Sequence, residues 1–150
     1  MYSANDVNKS ANQGKTTTNV HDQNVRNTQH GNAPVLSATS IVGTGVRNTQ
    51  GESLGDIKDL MIDTTNGTIS YAVVSFGGFL GIGDKLFAVP LEAFRVDTEH
   101  EKFILDVSRE QLENAPGFDK DNWPTTAQQD FIQRVYTHYG YQDQYNRRYV

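Results

Sequence analysis

Two apolar runs, "ISYAVVSFG" (residues 69–77) and "KLFAVPL" (residues 85–91), flank a segment in which Gly77, Gly78, Gly81 and Gly83 fall within seven positions. Short runs rich in β-branched and aromatic residues and bounded by turn residues read as strands, and a run apolar on both faces reads as a strand covered on both. The pattern predicts a central antiparallel hairpin with a long glycine-rich loop. Pro90 lacks a backbone donor, which puts that end of the second strand at an edge or an exit.

The rest of residues 36–107 has the same punctuation. A first strand is expected at 45–48, before the turn "TQGE". Residues 53–63 form a second, in which Leu54, Ile57, Leu60 and Ile62 slip from a spacing of three to a spacing of two, so a bulge or bend is expected near residues 57–60. Asn66-Gly67 in "TTNGT" predicts a type I′ hairpin, because both residue types tolerate positive φ. "AFRVD" and "KFILDV" alternate on either side of "TEHE", which brings the strand count to six.

Helices are expected after the strands. "SREQLENA" offers Ser108 as N-cap with Gln111 three residues on, a capping box. "PGFDKDNWP" reads as irregular, with Phe118 and Trp123 covering one end of the barrel. Residues 125–140 read as an amphipathic helix with Phe131, Ile132, Val135, Tyr136 and Tyr139 on one stripe and Gly140 as its stop. Residues 141–150 read as a flexible Tyr/Arg-rich tail. Residues 1–33 hold no Ile, Leu, Phe or Trp and are expected to be a disordered polar tail. "VRNTQ" occurs both there, at 25–29, and at 46–50.

Composition narrows the chemistry. Without cysteine there is no disulfide, thiolate nucleophile or cysteine-based metal centre, so a cytoplasmic location is expected. No segment approaches the roughly 18 apolar residues of a membrane span. Residues 34–124 carry 7 Lys/Arg against 14 Asp/Glu, a balance that disfavours nucleic-acid binding by the core. The glycine segment is not a phosphate loop: no Ser or Thr follows Lys85, and a strand rather than a helix comes next.

Catalytic and metal constellations are not evident. Asp56, Asp59 and Asp63 share one strand and Asp119 and Asp121 one loop, without the order of a calcium loop. His21, His30, His100 and His138 have no zinc-ligand spacing, and no Ser/His/Asp arrangement is suggested. Neither a cofactor nor a metal is expected, and the chain reads as non-enzymatic. Phe79, Leu80 and Ile82 either fold back over the barrel mouth or are displayed at the loop tip; as displayed groups they are the candidate interaction residues, with Asp84 and Lys85 as a polar rim, while the four glycines shape the loop.

The linked pattern "GE-LG-I-DLMID", "G-I-YAVVSFGGFLGIGDKLFAVP" and "PGFDKDNWP" resembles stand-alone bacterial PRC-barrel domain proteins over residues 35–124. The family takes its name from the cytoplasmic domain of the photosynthetic reaction-centre H subunit, and a related barrel forms the C-terminal half of a ribosome maturation factor. The resemblance implies an all-β domain over residues 34–124, a small six-stranded antiparallel β-barrel with short helical turns, and the C-terminal α-helix read from its own periodicity lies outside it. It also implies a role in protein interaction or assembly. The expected partner is a protein of unknown identity or a second copy of the chain in a homodimer. The alternatives are a small ligand in a barrel mouth, and RNA or the ribosome bound by Tyr136, Tyr139, Tyr141, Tyr145 and Tyr149 with Arg147 and Arg148.

Overall fold

The computed structural model describes residues 35–76, 85–126 and 128–150. Its strands are β1 (Gly45–Arg47), β2 (Ser53–Asp63), β3 (Thr68–Ser75), β4 (Lys85–Val89), β5 (Phe94–Asp97), β6 (Lys102–Leu105) and β7 (Gly117–Asp119). Helices α1 (Ala38–Ile41), α2 (Arg109–Glu113), α3 (Gln129–His138) and α4 (Gln142–Tyr149) accompany them, with a 3-10 turn at Leu91–Ala93. The strands make one sheet in the order β5-β6-β1-β2-β3-β4-β7.

The six-stranded antiparallel barrel is thus correct only in outline. A seventh strand, β7, pairs with β4 inside the stretch expected to be irregular. β1 runs parallel to β6, and β5 and β7 remain unpaired with each other, so the sheet is mixed and not closed. The parallel pair comes from bringing back a strand half the domain away in sequence, which local patterning cannot reveal. Residues from β1, β2, β3, β4 and β6 nevertheless share one core with Ile41 of α1 and Leu112 of α2. Strands so far apart in the sheet meet in one core only if the sheet curls around it.

Bulges on β2 drive that curl. Against β1, Val46 pairs with Gly55 and Arg47 with Ser53, leaving Leu54 as the extra residue. Against β3, Ile57 pairs with Val74 and Asp59 with Val73, leaving Lys58 extra. Each extra residue converts the two-residue period into three, so Leu54, Ile57 and Leu60 all meet the same core. Gly55 takes φ +108°, and a Cβ there would lie 2.0 Å from the Ser75 carbonyl oxygen.

The β2–β3 turn corrects the expected type I′ geometry. It spans four residues between the paired Asp63 and Thr68, and only Gly67 has positive φ. Asp63 organises it: Oδ1 accepts from the Thr65 and Asn66 N–H groups, Oδ2 accepts from Asn66 Nδ2, and its carbonyl accepts from Gly67 N–H. The side chain supplies the acceptors that a two-residue turn would not need.

β3 and β4 are apolar on both faces because both are covered. Val74, Phe87 and Val89 face the first core, while Tyr71, Val73, Leu86 and Ala88 face a second, formed with Phe131, Ile132, Val135, Tyr136 and Tyr145 of α3 and α4. Phe118 and Trp123 join this second cluster rather than closing a barrel end. The residues read as a flexible tail form α4, whose Tyr145 is buried. α3 spans only part of the helix expected over 125–140, and Gly140 at φ +81° follows it. The capping box at Ser108 is present in both directions.

Candidate interaction surfaces

The glycine segment lies outside the described residues, and with it Gly77, Gly78, Phe79, Leu80, Gly81, Ile82, Gly83 and Asp84. Its two attachment points are described. Ser75 pairs with Leu86 in the last rung of the β3–β4 ladder. Phe76 is buried, and the Arg109 guanidinium sits 4.9 Å from its ring centroid. Lys85 begins β4 opposite Asp119 of β7, with its ammonium 5.4 Å from the Phe87 ring centroid. Lys85 is therefore half-buried and engaged along the sheet.

The outer face of β1, β6 and β5 presents a second surface. Arg47 and Arg95 both pair laterally with Ile104, which lines two guanidinium side chains up on either side of one isoleucine. They border an open recess of about 580 Å³ with Lys102, Asp97 and His100. Asp97 holds the β5–β6 turn: Oδ1 accepts from the Glu99 and His100 N–H groups, and Oδ2 lies 2.9 Å from His100 Nδ1. The His100 side chain and then its backbone N–H hold this carboxyl below the usual carboxylate range. Sequence patterning treats His100 as an isolated turn residue; the signal for its pairing is Asp97, three residues earlier.

Tyr136 and Tyr145 of the C-terminal cluster are buried, whereas Arg147 is exposed. Tyr136 donates from its hydroxyl to the Ser70 carbonyl at 3.1 Å and accepts from Arg148 at 2.9 Å. Arg148 also donates to the Ile69 carbonyl and pairs with Glu92 at 3.1 Å. Burial and then the Glu92 carboxylate raise the Tyr136 pKa, and burial raises that of Tyr139. The Tyr145 ring packs at a tilt against those of Tyr136 and Tyr149, with centroids 6.0 and 5.0 Å away.

Asp59, Asp63 and His138 have structural partners. Asp59 accepts from the Leu60 N–H, and Asp63 builds the hairpin turn. His138 Nε2 lies 3.2 Å from the Gln111 carbonyl, joining α3 to α2. Asn48, in the second "VRNTQ", is buried and accepts at Oδ1 from the Gln50 and Glu52 N–H groups. Among the described residues no group of three or more His, Asp or Glu is placed to hold a metal ion. A recess of about 210 Å³ between the β2–β3 turn and residues 124–126 and 128 is lined in part by Ser70, Tyr71 and Phe131.

No helix among the described residues is long and apolar enough to cross a membrane. No curated protein matches the chain. The sequence model of one family, the PRC-barrel domain, matches residues 34–112. The match covers more than half of the chain and stops before "PGFDKDNWP", β7 and the two C-terminal helices, whereas the resemblance read from sequence extends through "PGFDKDNWP". The curled sheet around one core agrees with that match, and the chain belongs to the PRC-barrel domain family.

Proposed function

We propose that the protein is a non-enzymatic cytoplasmic module that docks a protein partner through residues 77–84. The observation that carries this reading is the anchoring of the segment's two ends. β3 and β4 are buried on both faces, and Phe76 and Lys85 are held by Arg109 and by the Phe87 ring. A stalk covered on both sides tolerates little movement, so a loop carrying Phe79, Leu80 and Ile82 starts from a fixed base. Each of those side chains contributes about 1.5–3 kcal/mol if fully removed from water by a partner.

The test compares proteins retained by the tagged wild-type chain with those retained by the Phe79→Ser/Leu80→Ser variant. Retention of a defined protein by the wild type and its loss from a variant with unchanged melting temperature supports the reading. Equal retention by both removes the loop as the docking element.

A further inference from the structure

We propose that the outer edge of β5 pairs with β5 of a second copy of this chain, antiparallel and centred on Val96. β5 is the last strand of the sheet and is hydrogen-bonded on one side only, to β6. Alternate backbone N–H and C=O groups along its other side therefore have no strand partner among the described residues, and such an edge is a template for another strand. Val96 lies on the face of Phe94 and Phe103 yet is 37% exposed. The Arg95 side chain is exposed and makes no ion pair or hydrogen bond among the described residues.

Symmetry selects the register. In an antiparallel pair about a twofold axis perpendicular to the sheet, directly opposed residues must share a face. The axis must then pass by one residue rather than between two. Centred on Val96, the pairing sets Val96 against Val96, Arg95 against Asp97 and Asp97 against Arg95, so both opposed charge pairs are attractive. The other edge offers no such match. β7 centred on Phe118 opposes Gly117 to Asp119, and Phe118 is already packed against Trp123 and Phe131. Charge complementarity thus favours β5 paired with a second copy.

The inference adds a self-pairing edge to the interaction reading without depending on it, since the loop variant tests partner docking and the β5 variants test self-association. Because the chain has no cysteine, Val96→Cys supplies a single thiol lying opposite itself across the axis. Opposed strand residues stand about 4.5–5.5 Å apart at Cα, within disulfide reach. Oxidised glutathione is expected to convert Val96→Cys to a covalent dimer rapidly, and Ile62→Cys, exposed on β2, slowly. Light scattering across a concentration series is expected to show a wild-type dimer. Arg95→Asp, with an unchanged melting temperature, should associate about tenfold more weakly or worse. A monomeric wild type at all concentrations, equal cross-linking at positions 62 and 96, or undiminished association of Arg95→Asp would each overturn the proposal.

Discussion

Gly55 shows how one residue bends a sheet. Its φ of +108° is one that L side chains rarely adopt, and the Ser75 carbonyl occupies the space of a Cβ. Gly55→Ala is expected to destabilise the fold by about 2–4 kcal/mol, read by denaturant unfolding. Gly67 is also left-handed in φ, but a Cβ there would meet nothing within 4 Å. Gly67→Ala should therefore lose about 1 kcal/mol, from backbone strain alone. Reversal of that order would show that the close approach of β2 to β3 is not what fixes Gly55. The sequence indicates a bend in β2 through the spacing of Leu54, Ile57 and Leu60. It cannot indicate that two separate bulges produce it, because the register depends on which strands lie on either side.

At the scale of elements, local signals were legible and distant ones were not. β2 occupies the predicted span, the capping box at Ser108 and Gln111 closes as its spacing requires, and the stripe of α3 is buried at Phe131, Ile132, Val135 and Tyr136. β7 is three residues long and exists only because β4 lies beside it, so "GFD" carries no signal of its own. α4 is polar apart from its tyrosines, and its place depends on Tyr145 reaching the second core and Arg148 reaching Tyr136 and Glu92. Ile132→Ala is expected to cost about 2–5 kcal/mol, as for a core position, whereas Arg147→Ala on the exposed side of α4 should leave stability within about 0.5 kcal/mol. Thermal or urea unfolding of the two variants checks the contrast.

For the molecule as a whole, the sheet is completed by helices rather than by closure. Residues Ser37–Val150 form one contact unit although the family match ends at residue 112. The buried tyrosines give this arrangement a pH signature. Burial pushes Tyr71 from 10.0 up to about 12 and raises Tyr136 and Tyr139 as well. In the unfolded chain these phenols ionise near pH 10, while in the fold they keep their protons, so above that pH the unfolded state binds fewer protons. Stability is therefore fully present below about pH 10 and falls as pH rises beyond it. Urea midpoints measured from pH 8 to 11 should decline only in the upper part of that range, and Tyr71→Phe should make the decline shallower.

The central claim is that the C-terminal helices are part of the fold and cover one face of β3–β4. Native-state hydrogen exchange tests it most directly. The account predicts that amides of Ile132 to Tyr136 are protected to the same degree as those of Val73, Val74, Phe87 and Ala88, all opening together. Exchange of the α3 amides within seconds while the strand amides stay protected would contradict it, because the second face of the sheet would then open without the fold.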